Sequence, residues 1–517
     1  MKRMKKIMAL MLAAIMMMAM SVTAFAAEGA TGTLTLTVNV KTTSPAQDLK
    51  GQTINLYKLF DVTESKSGET TNYAYTVNTE NGYKDAIKSA LGTSFTGTTD
   101  EEYAAAVLAL KNTVQKFAND FTATALTSKL SATATSNKIT ESKTSYDFTG
   151  LDAGYYLVYV TGSKEIQSSL VTVDETTNTV NLKTEAPSIT KTADKATAEI
   201  GQVVTYTVTG AIPDTTGYEK YVYKIHDTLS TGLDFVKNAN GDALDNANEV
   251  NVTIAFKDTS VAAAGTAPTT ATLSGDGNRT MALDLSAWVR DNQTNKGKEF
   301  TIIYYAKVNK NAEVTNNNKA SLEYGNNPRD TTTTTPSEAK TNTYPLDINK
   351  IKNGTEEKLA GAKFRLYSSE ADAKANDESK AIKVSPVVAG VAGNYVVDPA
   401  STTTEFESVK SIEEKGYNLH INGLEAKDYW LVETQAPEGF NKLTDPIKVT
   451  ITKDGDTNWT VKKNDTAEDD KIIDVENSTG SLLPCTGGRG AIVFAVIAAL
   501  LVFGVAVSFI RDKRKEA

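Results

Sequence analysis

The chain has 517 residues and carries 54 Lys and Arg against 63 Asp and Glu, a net charge of −9. An acidic chain is not expected to bind nucleic acid, because phosphate recognition needs a basic surface. One cysteine excludes an internal disulfide and two histidines exclude a His-rich metal site, so we expect neither a metal nor a cofactor.

Residues 1–26 are predicted to be a secretory signal peptide. A basic segment at 2–6 precedes an apolar run at 7–20. The small residues Ala24 and Ala26 then favour cleavage before residue 27. The mature protein is therefore expected outside the cell.

Residues 27–187 are predicted to form a β-sandwich with a helical insertion. Segments 33–40 and 54–59 alternate apolar and polar side chains, as half-buried strands do. Thr99 and Glu102 are placed as the capping box of a helix. One apolar stripe follows that cap at helical spacing: Tyr103, Val107, Leu110, Val114, Phe117 and Phe121. Further strands are predicted at 146–148, 154–160 and 170–173.

A second β-domain is predicted at 188–345 and a third at 346–481. In the second, apolar residues at 204, 206 and 208 alternate with threonines, and the segment FTIIYYAKV at 300–308 is typical of a strand.

The C-terminal segment 483–517 combines the pentapeptide LPCTG, an apolar run at 491–510 and a basic tail. Twenty apolar or small residues can span a bilayer as a helix, and the basic residues behind them hold the tail in the cytoplasm. The two predicted removable ends carry nine Lys and Arg with two Asp and Glu, so the net charge of the mature chain is −16. A mature chain of this length has room for about three domains.

The pentapeptide Leu483, Pro484, Cys485, Thr486 and Gly487 resembles the LPxTG sorting signal of Gram-positive surface proteins. The resemblance implies that a membrane sortase cuts between Thr486 and Gly487 after a transient membrane insertion, and passes the threonyl carbonyl to an amine. A tail-anchored protein with a chance pentapeptide is the alternative. The position directly before the apolar run and the signal peptide both favour the sorting signal.

Lys183 resembles, by its position, the lysine that ends the first domain of Gram-positive backbone pilins. That lysine stands on the last strand, shortly before a proline, here Pro187, and the next domain. The resemblance implies that Lys183 accepts the threonyl carbonyl of another copy. Asn181 and Leu182 replace the Tyr-Pro pair common before it. The inference rests on position, and a solvated strand lysine is the alternative.

Three segments of the second domain resemble the isopeptide-bearing Cna-type A domains of pilins: ITKTAD at 189–194, YKIHDTLSTGLDF at 223–235 and TNNNKASLEY at 315–324. The resemblance implies a bond between Lys191 and Asn318, with Asp227 as the buried acid. Asn316 and Asn317 are alternatives for the asparagine, because a strand turns only every second side chain inward.

The third domain resembles Cna-type B domains at three segments in the expected order: LDINK at 346–350 with KLAGAKFRLY at 358–367, YWLVETQAPEGF at 429–440 and IIDVEN at 472–477. The resemblance implies a bond between Lys350 and Asn477, with Glu433 as the acid.

Each such bond needs a neutral lysine, an asparagine and an acid in one place. Burial disfavours the ammonium form and so lowers the pKa of a lysine, which makes it a nucleophile. The buried acid hydrogen-bonds the asparagine carbonyl and carries a proton to the departing ammonia. Folding supplies the proximity for one reaction per molecule. A buried Lys–acid salt bridge without a bond is the alternative at both places.

Enzyme motifs are absent from the sequence. It contains no HExxH segment and no phosphate loop. His226 lies beside Asp227, but neighbours on one strand face opposite sides and cannot readily act on the same group. A wall-bound hydrolase is therefore disfavoured, and we predict that the protein is not an enzyme.

Together the resemblances imply an all-β backbone pilin built from tandem immunoglobulin-like (Cna-type) sandwich domains. Sortase, other copies of the chain and peptidoglycan are the expected partners, with ancillary pilins and host-surface ligands as further ones. The protein is expected at the cell surface, in the cell wall. A monomeric wall-anchored adhesin or an ancillary pilin is the alternative function.

Overall fold

The structure is a computed structural model. It describes residues 32–40, 42, 48–67, 70–160, 168–174, 177–182, 186–215, 220–325, 328–329 and 331–480. The predicted signal peptide, Lys183 and segment 483–517 lie outside the described residues. In the ranges given, no helix combines the length and the apolar character that crossing a membrane requires.

The chain divides into two compact units. Unit 1 contains the described residues up to Asp194, 203–306 and 317–339. Unit 2 contains 195–202, 307–316 and the described residues from 340 onward. Unit 2 is therefore built mainly from the C-terminal part of the chain, with two short segments from its middle.

The N-terminal part of unit 1 is a pair of sheets with a helical insertion. Its strands are β1 Leu34–Asn39, β2 Thr53–Ser67, β3 Thr70–Val77, β4 Ala134–Lys138, β5 Ser145–Leu151, β6 Gly154–Val160, β7 Ser169–Val173 and β8 Thr179–Asn181. One sheet has the order β5-β1-β8 and the other β3-β2-β6-β7, with β4 paired to β2. A single apolar cluster contains residues of both sheets, among them Leu36, Val38, Ile54 and Val158. The two sheets therefore pack around a shared core.

The helical insertion lies between β3 and β4. Its helices are α1 Tyr83–Leu91, α2 Asp100–Ala109 and α3 Val114–Thr127. Thr99 and Glu102 form the predicted capping box at the start of α2. The predicted single stripe is wrong at its middle, because the helix ends at Ala109 and restarts at Val114. Lys111 between them has a φ of +43°, which no right-handed helix contains, and Val114 is consequently exposed.

The middle of the chain adds two further sheets. Its strands are β9 Thr190–Ala193, β10 Val203–Ala211, β11 Val222–Leu229, β12 Leu233–Val236, β13 Glu249–Asn251, β14 Thr253–Phe256, β15 Thr270–Ser274, β16 Thr280–Asp284, β17 Glu299–Val308, β18 Thr315–Gly325, β19 Thr332–Thr333 and β20 Ser337–Asn342. The short helix α4 is Ser286–Asp291. The sheet orders are β12-β17-β10-β9, with β14 on β17, and β13-β15-β16-β11-β18-β19, with β20 on β18. Buried Tyr223 of β11 contacts Phe300 of β17, so these sheets also face each other.

Unit 2 contains most of the remaining strands. They are β21 Tyr344–Lys352, β22 Lys363–Tyr367, β23 Val384–Pro386, β24 Asn394–Val397, β25 Phe406–Glu407, β26 Leu419–Leu424, β27 Asp428–Gln435, β28 Ile447–Asp454, β29 Asn458–Lys463, β30 Thr466–Glu468 and β31 Ile472–Asn477, with helix α5 Glu370–Ala375. The sheet orders are β23-β24-β26-β21-β31 and β25-β22-β27-β28-β29-β30. Strands β21 and β31 pair in parallel, with Lys350 opposite Val475. The opening and closing strands of this part of the chain are thus neighbours.

Short 3-10 turns complete the described elements: Glu80–Gly82, Lys111–Thr113, Asp276–Asn278, Gln293–Asn295 and Glu378–Lys380. The predicted fold class, an all-β protein of tandem domains with one helical insertion, is confirmed. Alternation in the sequence was enough to predict these strands, because β10, β17 and β18 bury every second side chain.

Candidate functional site

Lys191, Asp227 and Asn318 lie together between the two facing sheets in the middle of the chain. They stand on β9, β11 and β18. The alternation of each strand turns them inward, so that the side chains of Lys191 and Asp227 are fully buried and Asn318 is 0% exposed. Because a buried charge is costly unless it is paired, such a cluster in an apolar core needs an explanation.

Tyr304 of β17 connects all three of these side chains. Lys191 Nζ donates a hydrogen bond to Asp227 Oδ2 at 2.5 Å and another to the Tyr304 hydroxyl. The Tyr304 hydroxyl donates to the same Asp227 Oδ2 at 2.5 Å. Asn318 Nδ2 donates to the Tyr304 hydroxyl at 3.4 Å. The Tyr304 hydroxyl therefore contacts the lysine, the aspartate and the asparagine of the cluster.

Two tyrosine rings also flank the lysine. Lys191 Nζ lies 4.8 Å from the ring centre of Tyr206 and 4.7 Å from that of Tyr304. Neither tyrosine was singled out from the sequence. Both occupy inward positions of strongly alternating strands, which is the signal that could have marked them.

Burial shifts both titrating partners of this cluster toward their neutral forms. Burial lowers the pKa of Lys191, although the nearby Asp227 opposes the shift. Burial raises the pKa of Asp227, although the Lys191 charge opposes it. Burial also raises the pKa of Tyr304 well above its ordinary value, so the phenol keeps its proton. Both shifts favour transfer of a proton from the Lys191 ammonium to the Asp227 carboxylate.

The structure brings Asn318, and neither alternative asparagine, to the Tyr304 hydroxyl that contacts Lys191. Asn316 also points inward, but its amide donates to the backbone carbonyls of Glu313, at 3.0 Å, and Thr341, at 3.3 Å. Among the described residues, the Asn317 side-chain oxygen accepts no hydrogen bond from Lys191, Tyr304 or Asn318. The Asn317 backbone N–H donates to Ser230 Oγ at 3.1 Å.

A second buried cluster lies in unit 2 and contains Lys350, Glu433 and Asn477. They stand on β21, β27 and β31, and the side chains of Lys350 and Glu433 are fully buried. Lys350 Nζ is 3.7 Å from Glu433 Oε1 and donates to the Val475 carbonyl at 2.9 Å. Asn477 Nδ2 donates to Glu433 Oε2 at 2.9 Å. Glu433 therefore stands between the lysine and the asparagine.

The loop after β27 orients the acid and the amide. The Leu443 backbone N–H donates to Glu433 Oε2 at 2.7 Å, and Asn477 Nδ2 donates to the Asn441 carbonyl at 2.5 Å. These backbone contacts were not predicted, because nothing in the residue types at 441 and 443 marks them. They hold the Asn477 amide with its nitrogen toward Glu433, and not its carbonyl oxygen as expected from the sequence.

Hydrogen bonding in both clusters is incomplete. Among the described residues, none donates a hydrogen bond to Asn477 Oδ1, to Glu433 Oε1 or to Asn318 Oδ1, although all three atoms are buried. A buried polar atom without a partner costs about 1–3 kcal/mol. A covalent rearrangement at these atoms would thus start from a destabilised arrangement.

Burial lowers the pKa of Lys350 to about 8, outweighing the opposing attraction of Glu433. This shift increases the share of the neutral amine near neutral pH. The neutral amine is the nucleophilic form, so this lysine is available for attack on a carbonyl carbon near neutral pH.

Other predicted or notable polar groups take no part in these clusters. His226 lies on the opposite strand face from Asp227, and its Nε2 is 2.7 Å from Glu323 Oε2. Among the residues between 32 and 182 whose side chains the structure describes, no lysine is buried. Lys58, whose side chain is 12% exposed, forms ion pairs there with Asp61 and Asp152, whose side chains are about half exposed.

Comparison with known proteins gives matches of three kinds. Residues 345–466 match the family model of the SpaA prealbumin-like fold domain. Over 180 residues the chain is 29% identical to a type 1 fimbrial subunit of Actinomyces viscosus, which covers 32% of this chain and 31% of that subunit. The chain thus aligns with about a third of the length of this curated relative.

Solved pilins are similar in structure. The T6 backbone pilin of Streptococcus pyogenes matches with 18% identity and a TM-score of 0.40, over 86% of this chain and 99% of the pilin. The major pilin SpaA of Corynebacterium diphtheriae matches with 16% identity and a TM-score of 0.42, over 86% of this chain and 100% of that pilin.

Proposed function

We propose that this chain is the structural subunit of a covalently polymerised pilus at the surface of a Gram-positive cell. The observation that carries the proposal is the pair of buried Lys–acid–Asn clusters, one in each unit, in a β-protein with a predicted signal peptide and a single cysteine. Intramolecular Lys–Asn isopeptide bonds replace disulfides as staples. The fimbrial relative and the matching prealbumin-like domain support the same function.

In unit 2 the reaction joins Lys350 to Asn477. The neutral Nζ of Lys350 attacks Cγ of Asn477, a C–N bond forms, and Nδ2 leaves as ammonia. Glu433 takes the proton from the attacking nitrogen and gives it to the departing one, so it ends unchanged. The product links β21 to β31, the opening and closing strands that tension along the chain would separate first.

In unit 1 the same reaction joins Lys191 to Asn318. Asp227 is the proton carrier, and the Tyr304 hydroxyl, which contacts the amine, the acid and the amide, positions all three. The bond links β9 to β18 across the two facing sheets.

Between subunits, we propose that sortase joins the Thr486 carbonyl of one copy to Lys183 of the next. The last subunit is then attached to peptidoglycan, and ancillary pilins and host ligands are further partners. In this assembly the protein is the substrate of sortase and the structural subunit of the pilus. The reaction that it catalyses itself is the formation of its intramolecular cross-links.

Peptide masses test the intramolecular bonds. We expect a tryptic digest of the boiled, wall-released protein to contain Lys191 and Lys350 in cross-linked peptides, each pair lighter than its two parts by one ammonia. Asn318→Ala should abolish the first cross-link, while the matched control Asn316→Ala keeps it. Linear peptides containing unmodified Lys191 and Lys350 would dispose of both sites.

Removing the phenol hydroxyl tests the role of Tyr304. In Tyr304→Phe the ring remains over Lys191, but the contact to the acid and the amide is lost, so cross-linking in unit 1 should slow by about 100-fold. Pulse-labelled cells would be sampled over time and the Lys191 cross-linked peptide quantified. The unit 2 cross-link serves as an internal standard.

Tyr206→Phe is the matched control for this substitution. It removes the hydroxyl of the other tyrosine over Lys191, and it should leave the rate of cross-linking nearly unchanged. Equal rates in Tyr304→Phe and the wild type would show that the hydroxyl is a structural contact alone.

A further inference from the structure

One hairpin loop of unit 2 exposes large apolar side chains. Val387 and Val388 are 61% exposed and Val391 is 53% exposed. We call residues 387–392 the valine loop. The surrounding segment 385–394, SPVVAGVAGN, contains no charged residue. Contiguous exposed apolar side chains of this kind mark an interaction surface more often than isolated ones do.

The loop is a defined turn. Pro386 pairs with Tyr395 across the β23–β24 hairpin, and the Val387 N–H donates to the Asn394 carbonyl at 3.0 Å. The Val391 N–H closes the turn on the Val388 carbonyl at 3.0 Å, and Gly390 supplies the positive φ of +77° that the turn needs. The valines are therefore presented outward by a hydrogen-bonded hairpin.

Strand register places the valine loop at the end of unit 2 from which the chain leaves toward the sorting signal. Strand β24 runs parallel to β26, β26 antiparallel to β21, and β21 parallel to β31. Strand β24 therefore runs opposite to β31, so the loop that precedes β24 extends toward the end at which β31 finishes. In this register Asn394 is level with Ile472, and the loop extends from Asn394 in the direction of Asn477.

The segment from Gly480 to Thr486 is too short for a copy joined at Thr486 to lie far from this end of unit 2. Thr486 is the sixth residue after Gly480, and six fully extended residues span at most about 20 Å. Any group joined to the Thr486 carbonyl is thus held near the valine loop. A neighbouring copy is the occupant that the proposed polymer supplies.

Charge favours the same occupant. Copies with a net charge of −16 repel one another, so their contact is most favourable where no charge is brought together. The uncharged segment 385–394 meets this condition. An anionic membrane surface would instead be recognised by basic residues beside the apolar ones, and the segment has none.

We propose that the valine loop is a docking surface for a second copy of this chain at the junction that sortase joins. The inference rests on the proposed polymerisation. The loop makes the non-covalent contact that holds the incoming copy while the covalent bond forms, through burial of its valines.

The test is a triple variant, Val387→Ser with Val388→Ser and Val391→Ser, expressed in the native cells. Boiled wall extracts would be immunoblotted, and we expect the ratio of polymer to monomer to fall several-fold. Both intramolecular cross-links should persist, which shows that the variant folds. Val114→Ser, at an exposed valine of the helical insertion, is the control and should leave the ladder unchanged.

The outcomes separate this inference from the proposed function. A wild type without any ladder overturns both. A wild-type ladder that is unchanged in the folded triple variant overturns the docking surface alone. If the purified protein binds phosphatidylglycerol vesicles and the triple variant does not, while the ladder is unchanged, the loop is a membrane contact and the proposed occupant is wrong.

Discussion

Replacing Glu433 with alanine should leave Lys350 and Asn477 unjoined and lower the free energy of unfolding of unit 2 by about 8–10 kcal/mol. Two effects contribute. The cross-link closes a loop from β21 to β31, and a bond closing a loop of about 100 residues stabilises by about 4.7 kcal/mol in the chain-entropy description. The substitution also leaves a buried lysine without its acid, and breaking such a pair costs about 3–5 kcal/mol.

A second variant tests whether Glu433 acts as the proton carrier. Glu433→Gln keeps the shape of the side chain and an acceptor for the Leu443 N–H, but it cannot carry the proton, so it too should lack the bond. Calorimetry and protease resistance report stability, and the Lys350 peptide mass reports the bond. Exposed Glu438→Ala, on the turn after β27, is the control and should behave as the wild type.

If the cross-linked peptide persists in Glu433→Ala, the acid is misassigned. If the bond is lost but unit 2 keeps its thermal stability, the cross-link does not stabilise the fold against heat. Its role would then be to resist tension along the chain.

The strands could be predicted because alternation depends on local sequence, whereas Lys191 and Lys350 were indicated by the resemblance to pilin domains. Alternation over β10, β17 and β18 is visible in any window of a few residues. Lys191 and Lys350 stand at inward positions of strands, where an unpaired lysine would be costly. A buried lysine in such a place predicts a partner, even before the partner is known.

Which residues contact the buried lysines depends on strand register, and the alternation along one strand does not determine that register. Period-two alternation places Asn316 and Asn318 on the same face of β18 and therefore cannot choose between them. The choice follows from pairing with β11, in which Asn318 lies opposite Leu229, two residues from Asp227. Tyr304 was missed for the same reason, since 21 tyrosines are present and only the facing of two sheets selects one.

The interruption between α2 and α3 shows a different limit. The apolar spacing continues through Leu110 to Val114, yet the chain leaves the helix there, because a single positive φ at Lys111 breaks the hydrogen-bond ladder. Spacing reports which residues are apolar, and it cannot report a local backbone break.

Replacing Lys183 with alanine should convert the covalent ladder of boiled wall extracts into monomer. If Lys183 is the acceptor, its amine is the only nucleophile that lets one copy receive the Thr486 carbonyl of another, and alanine removes it. Lys183→Arg should have the same effect, because it keeps a positive charge while removing the amine that would attack. Lys143→Ala, which removes an exposed lysine of the same part of the chain, is the control and should keep the ladder.

This substitution separates the chemistry between subunits from the chemistry within them. Both intramolecular cross-links should persist in Lys183→Ala, so loss of the ladder could not be attributed to unfolding. A ladder that survives in Lys183→Ala keeps the pilus but assigns the acceptor to another lysine. Monomer in the wild type as well as the variant would favour a single-copy adhesin, in which the same buried bonds stiffen a stalk and the threonyl carbonyl goes directly to peptidoglycan.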